Sequence, residues 1–221
     1  GCIAERTGSV LFVGPGDCGK TTLALQQVYE GWAFQADDYT LVSPRGESLS
    51  YPRRLHISHH LRTVCPEIYR DLSLRRKLSM KGKRLGYYLT LTYGNLSEAL
   101  PIAEAIPGGK IQNTAKLRSV LIMVPHTGAA VKGPYPLSKE GFINRALSIN
   151  YSEGKPFYDV FMSQSSSSDD LSLSLWLDQE RQILSEAISD VPAYELLVPR
   201  HSPDPREAQK NISRAVNRLV A

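Results

Sequence analysis

Apolar residues along this chain recur with two different periods, which predict strands and helices in alternation. Short apolar runs predict strands at 9–13, 32–36, 39–42, 119–124 and 194–198. Helical spacing predicts helices at 21–30, 138–149, 171–188 and 205–219, the last with Asp204 as its N-cap. A polar stretch at 163–168 predicts a flexible loop. Because strands alternate with helices, we expect an α/β layered fold in a single domain over residues 1–221.

The connection between the first strand and the first helix has the sequence of a phosphate-binding loop. Residues 14–21 read Gly-Pro-Gly-Asp-Cys-Gly-Lys-Thr, which matches the pattern G-x-x-x-x-G-K-[ST]. Its glycines let the backbone approach phosphates, and the following helix N-terminus adds free N–H groups and partial positive charge. The residues predicted to bind the nucleotide are Gly14, Pro15, Gly16, Asp17, Cys18, Gly19, Lys20, Thr21 and Thr22. Within this set, Lys20 neutralises the phosphates and Thr21 binds Mg²⁺.

Two adjacent carboxylates end the second predicted strand. Asp37 lies seventeen residues after Lys20 and is followed by Asp38, whereas the apolar run 120–124 ends in Pro-His. A phosphoryl-transfer site needs an acid near its Mg²⁺, and successive strand residues point to opposite sides. One carboxylate is therefore predicted to approach the metal, and the other to act as a base on an acceptor hydroxyl. The alternative is an Asp pair that caps a turn.

Composition excludes few classes of protein. The 221 residues carry a net charge of +4, and no run of eighteen apolar residues occurs, so no membrane span is expected. The first residues do not have the pattern of a secretory signal. A free Cys18 favours a reducing, cytoplasmic location. The chain begins without Met, and we expect a further segment upstream of Gly1.

A basic insertion interrupts the pattern at about residues 53–95. Its part 53–84 holds ten Lys or Arg against two acids, a net charge of +8. We predict a basic surface loop, with docking of an acidic peptide or a nucleic acid as the alternative. Arg53 and Arg54 are candidates to contact the transferred phosphoryl group, with a solvated surface role equally open. His56 is a candidate for a substrate contact or a structural role, because no acid or Cys completes a zinc site with the histidines here.

Residues 8–38 as a whole resemble the HPr kinase/phosphorylase family. The shared features are the phosphate-binding loop with Lys-Thr, an Ala-Leu helix, a glycine, and an apolar strand that ends in Ala-Asp-Asp. The resemblance implies a mixed sheet flanked by helices, like the C-terminal domain of that family, and often a homo-oligomer. It also implies a kinase that uses ATP and Mg²⁺ to phosphorylate a hydroxyl. In that assignment Lys20 binds phosphates, Thr21 is a metal ligand, Asp37 is the base and Asp38 is the metal-side acid, although the two could be exchanged.

The resemblance stops short of the family's usual substrate. The glycine-rich, Glu-bearing segment that follows the Asp pair in HPr kinases is absent, so the sequence is more similar to related biosynthetic kinases such as lasso-peptide precursor kinases. The predicted partners are ATP and a hydroxyl on a protein, a peptide or a metabolite. Two other classes stay open: a regulatory nucleotide-binding module, and a nucleic-acid-associated ATPase that uses the basic segment.

Overall fold

A nine-stranded mixed sheet flanked by helices forms the centre of this computed structural model, which describes residues 1–51, 53–89, 97–165 and 173–219. The described strands are β1 (Cys2–Glu5), β2 (Gly8–Val13), β3 (Ala33–Ala36), β4 (Leu41–Ser43), β5 (Glu47–Leu49), β6 (Leu55–Ser58), β7 (Ser97–Leu100), β8 (Lys110–Ile111), β9 (Thr114–His126), β10 (Lys132–Leu137) and β11 (Ala193–Pro199). The described helices are α1 (Lys20–Tyr29), α2 (Leu61–Val64), α3 (Pro66–Asp71), α4 (Leu74–Leu89), α5 (Ile102–Ala105), α6 (Lys139–Glu153), α7 (Lys155–Ser165), α8 (Leu173–Ala187) and α9 (Pro205–Asn217).

The strand order along the sheet is β10-β11-β9-β2-β1-β3-β8, with the β4–β5 hairpin joined to β9 through β5. Strand β9 is parallel to both β2 and β11, whereas β1 is antiparallel to β2 and β3. The prediction of a mixed α/β sheet flanked by helices is therefore confirmed. Strands β6 and β7 form a separate two-stranded sheet.

Alternate residues of the central strands fill two hydrophobic cores. On β2, Val10 and Phe12 pack into the core beneath α1 and α9, whereas Leu11 packs into the core beneath α6 and α8. Strand β9 repeats this division, with Leu121 in the first core and Ile122 in the second. Because both faces are covered there, residues 10–13 of β2 and 120–124 of β9 are apolar at every position. That continuous apolar pattern explains why the sequence predicted them.

The elements around the glycine-rich loop (residues 14–19) agree with the prediction to within a residue or two. Helix α1 ends one residue before Glu30, and Asp204 caps α9 by accepting from the backbone N–H of Glu207. Only 163–165 of the predicted flexible loop are described, and they are the last residues of α7; the rest lies outside the described residues. The described part of the helix predicted at 171–188 begins at Leu173.

The prediction of a basic surface loop is wrong for residues 74–89, which form α4. Arg76 binds Glu98 at 2.8 Å and Glu104 at 2.6 Å, and Lys83 binds Glu98 at 2.6 Å. Glu98 lies on β7, so these ion pairs fasten the basic helix to the small sheet. Residues 90–95 of the insertion lie outside the described part of the chain.

Among the described residues, no helix is both long enough and apolar enough to cross a membrane.

Candidate functional site

The glycine-rich loop connects the end of β2 to the start of α1. Gly19 is the N-cap of α1 with φ 91°, and Asp17 has φ 59°, so the chain turns through left-handed backbone conformations before the helix begins. Gly19 has no side chain with which to cap the helix. The N–H groups of the first turn have no partners within an α-helix, and they attract an anion.

Packing beneath the loop requires a glycine at position 14. A Cβ on Gly14 would lie 2.8 Å from the carbonyl oxygen of Met123 and 2.6 Å from the Sγ of Cys18. Met123 belongs to β9, so the loop starts in direct contact with the central strand. Cys18 is buried under the loop, and burial raises the pKa of its thiol. This environment suits a packing role for the cysteine.

The Lys20 side chain lies folded over the loop. Its Nζ donates to the carbonyl oxygens of Gly14 at 2.7 Å and Pro15 at 2.8 Å, and lies 3.8 Å from the Sγ of Cys18. A cation beside the N-terminus of a helix adds to the positive charge at the mouth of the loop.

Thr21 and Asp37 are in direct contact. The Thr21 Oγ1 lies 2.9 Å and 2.8 Å from the two carboxylate oxygens of Asp37. Asp37 is only 5% exposed, and burial raises the pKa of its carboxyl, although the Thr21 hydroxyl acts in the opposite direction. The hydroxyl and the carboxylate form a pair of hard oxygen donors, which is the chemistry that Mg²⁺ prefers.

Asp38 differs from Asp37 in its surroundings. Its side chain is exposed and lines the large cavity that opens in front of the loop, whereas Asp37 is buried against Thr21. Strand β3 ends at Ala36, so both carboxylates lie in the bend after the strand and not on the strand itself.

This cavity has a volume of about 1580 Å³. Predicted site residues that line it are Gly14, Gly16, Asp17, Cys18, Gly19, Lys20, Thr21, Thr22, Asp38 and His56. Pro15 lines a smaller adjoining cavity of about 320 Å³. The structure thus brings most of the predicted nucleotide site together around one space.

Arg53 and Arg54 are the predicted residues that the structure leaves outside this site. Both are exposed, and neither lines the cavity. The guanidinium of Arg53 lies 5.6 Å from the ring centroid of Tyr39. His56 lines the cavity from β6, and its Nδ1 lies 3.0 Å from the hydroxyl of Ser97.

Sequence reasoning missed an acid that contacts the loop directly. The Oε1 of Glu153, at the end of α6, accepts from the backbone N–H of Gly16 at 2.7 Å. This carboxylate accepts a hydrogen bond from an N–H group that the motif would otherwise offer to a phosphate. Nothing in the sequence pattern links residue 153 to the loop, because the contact depends on where α6 ends.

Two further residues line the cavity without having been predicted. Arg200 follows β11, and its backbone N–H donates to the carbonyl of His126 at 3.0 Å, which holds it beside the loop. Gln209 lies on α9 and is 4% exposed. No acceptor among the described residues is within hydrogen-bond distance of its Nε2. Its Oε1 lies 4.0 Å from the place of a Cβ on Gly19.

Comparison of this chain with family models, with curated proteins and with solved structures gave no match. Among the described residues, no three His, Cys, Asp or Glu side chains converge as a metal centre. The site must therefore be interpreted from its own geometry.

Proposed function

We propose that this protein is an ATP-dependent kinase that transfers the γ-phosphoryl group to a hydroxyl. The observation that carries the proposal is the contact of Thr21 with Asp37 at 2.8–2.9 Å, directly after a loop with the phosphate-binding sequence. A buried strand before the loop and a helix after it supply the surroundings that the motif needs. This arrangement also supports the finer interpretation of the fold as similar to the HPr kinase domain.

The residues of the loop bind and orient the phosphates in this proposal. The free N–H groups at the start of α1 bind phosphate oxygens, and Lys20 moves from the carbonyls of Gly14 and Pro15 to the transferred group. When bound, Mg²⁺ neutralises charge on the β- and γ-phosphates. Gln209 has a buried amide beside Gly19 that can donate to an oxygen of the nucleotide.

The geometry favours exchanging the two roles that the sequence resemblance implied for the Asp pair. Asp37 contacts the metal-binding hydroxyl of Thr21, so we assign it to the metal side. Asp38 is exposed in the cavity, so we assign it the role of base. Its carboxylate takes the proton of the acceptor hydroxyl while the hydroxyl oxygen bonds to the γ-phosphorus. The bond from that phosphorus to the bridging oxygen breaks, which releases ADP.

Arg200 is the best-placed arginine to stabilise charge on the transferred group. It lines the cavity beside the loop, whereas Arg53 and Arg54 do not. An arginine supplied by the same chain is a known means of lowering the barrier to phosphoryl transfer.

The structure gives less support to a nucleic-acid-associated ATPase. Three of the charges in the basic segment are engaged within the protein, since Arg76 and Lys83 bind glutamates and Arg84 contacts His59. A regulatory nucleotide-binding module remains the rival, because it needs the loop but has no use for a base in the cavity.

The decisive experiment measures transfer and binding separately in Asp38→Asn. Labelled ATP with a panel of Ser peptides and small alcohols reports transfer, and calorimetry reports ATP binding. We expect transfer to fall at least about 10²-fold while ATP affinity changes little. Asp190→Asn is the matched control, because Asp190 is exposed in the turn before β11.

Unchanged transfer in Asp38→Asn would reject the role of this residue as base. Tight ATP binding by the unaltered chain, with no transfer to any acceptor in the panel, would favour the regulatory module. Failure to bind ATP would reject both functions.

A further inference from the structure

The cavity extends past the loop to a wall of aromatic side chains on α7 and α8. This aromatic wall consists of Phe157, Tyr158 and Trp176. The ring centroids of Phe157 and Trp176 are 6.0 Å apart, and those of Phe157 and Tyr158 are 5.5 Å apart. Phe157 is 54% exposed and Trp176 is 44% exposed, so their faces are open to a ligand.

The aromatic wall and the proposed base line the same cavity, to which Leu41 and Val42 of β4 also contribute. A substrate that contacts the aromatic wall therefore shares the cavity with Asp38.

Carboxylates line the cavity beside the aromatic wall. The hydroxyl of Tyr158 donates to Glu180 at 3.4 Å, and Tyr158 packs next to Gly154, the residue that follows Glu153. Among the described residues of β4, α6, α7 and α8, no Lys or Arg lines the cavity.

Cations near the aromatic wall are already paired with other groups. Lys155 binds Asp159 at 2.8 Å, and Arg181 binds Glu140 at 3.0 Å. The wall thus combines open aromatic faces with negative charge, which is the chemistry that binds an ammonium or guanidinium group.

The volume leaves room for a second substrate beside a nucleotide. Pockets for one small ligand are on the order of 300–1,000 Å³, and this cavity measures about 1580 Å³. Glu180, which is hydrogen-bonded to Tyr158, repels phosphates and attracts a cation, so the aromatic wall suits a cationic acceptor.

We propose that the acceptor is a peptide segment in which a Lys or Arg lies close to the Ser or Thr that is phosphorylated. The cationic side chain contacts the aromatic wall and pairs with Glu180, and this directs the hydroxyl to Asp38. The proposal rests on the kinase function proposed above and adds the class of substrate to it.

Binding can be tested without any catalysis, because the chain contains two tryptophans and Trp32 is buried. A Ser peptide with Lys at each flanking position in turn is added to the full chain with ADP and Mg²⁺, and tryptophan fluorescence is recorded. We expect a saturable change with at least one Lys peptide, about tenfold weaker binding of the Gln counterpart, and none of the Glu counterpart. Trp176→Phe should remove the signal.

Kinetics then test the role of Glu180. In Glu180→Gln, we expect the KM for the Lys peptide to rise about tenfold while the KM for ATP is unchanged. Glu186→Gln on the same helix is the matched control, because Glu186 is exposed and does not line the cavity. Circular dichroism checks that each variant is folded.

The outcomes separate this inference from the kinase proposal. Phosphorylation of Gln or Glu peptides as efficiently as Lys peptides would overturn the inference and leave the kinase function standing. Transfer to an amino alcohol such as ethanolamine, but to no peptide, would overturn the peptide acceptor. The kinase proposal itself would fail only if ATP supported transfer to no acceptor at all.

Discussion

The hydroxyl oxygen of Thr21 lies within 2.9 Å of both carboxylate oxygens of Asp37. Thr21 belongs to the first turn of α1, and Asp37 follows β3, which is separated from β2 by β1. The contact therefore joins the first turn of α1 to the chain just after β3, the strand that follows α1 in sequence.

This contact predicts how substitution of Asp37 changes the metal requirement. In Asp37→Asn, the Mg²⁺ concentration for half-maximal transfer should rise about 10- to 100-fold, because an outer ligand of the metal loses its charge. Thr21→Val should act in the same direction, whereas Thr21→Ser keeps the hydroxyl and should stay near the original value. An unchanged Mg²⁺ requirement in Asp37→Asn would show that Asp37 does not help to hold the metal.

Arg200 predicts a loss of catalytic rate. Arg200→Gln should lower kcat by about 10²-fold or more, because charge on the transferred group loses its stabilising cation. The same substitution at Arg54 should have little effect, since that side chain is exposed outside the cavity. Steady-state kinetics of both variants test this prediction. A large loss of kcat in Arg54→Gln but not in Arg200→Gln would instead favour Arg54, which the sequence suggested.

Removal of the Glu153 side chain should increase the affinity for nucleotide. Its carboxylate accepts from Gly16 at 2.7 Å and so competes with a phosphate for the same N–H. In Glu153→Ala, the Kd for ADP should fall about three- to tenfold. Calorimetry measures the Kd for ADP in this variant. Glu186→Ala is the control, because Glu186 does not contact the loop. Weaker binding would indicate that Glu153 supports the loop instead.

Cys65 predicts a loss of stability in alkaline solution. Burial raises the pKa of this thiol from 9.0 to about 12, with the charge of Glu67 acting in the same direction. The folded chain therefore holds the proton more tightly than the unfolded chain. The protonated Cys65 thiol therefore stabilises the fold fully below pH 9. As the pH rises from 9 towards 12, the free energy of unfolding falls by about 1.4 kcal/mol per pH unit.

Urea unfolding above about pH 9 measures this dependence. Cys65→Ala should give a shallower decline of the unfolding free energy with pH, whatever its stability at neutral pH. The comparison must be of slopes, because Lys, Tyr and Cys2 also titrate in this range. An identical slope in the two proteins would contradict the prediction.

The sequence predicted the loop and its two flanking elements well because their information is local. Val10, Leu11 and Phe12 are apolar since both faces of β2 are covered, and Gly14 is required by contact with Met123. The sequence also located the Asp pair at the end of an apolar run, although β3 ends at Ala36 and the pair lies in the bend that follows it.

Other parts of the site could not be predicted because they depend on contacts distant in sequence. Arg200 and Glu153 reach the loop only through the register of β11 and the length of α6. Strand β10 was missed because Pro134 and Pro136 suggest a break, but prolines are tolerated in a strand at the edge of a sheet. Helix α4 was mistaken for a loop because the ion pairs that hold it are made with Glu98 on β7, a strand of the separate two-stranded sheet.

The packing of α9 against α1 has a consequence for the order in which this site is completed during synthesis. Gln27 on α1 donates to the hydroxyl of Ser213 on α9 at 2.7 Å, and Glu30 accepts from the same hydroxyl. The loop leaves the ribosome before the helix that braces it, which follows nearly two hundred residues later along the chain. At about 5–20 residues per second, that interval is on the order of 10–40 s. A nascent chain should therefore gain its full affinity for nucleotide only after α9 has been synthesised.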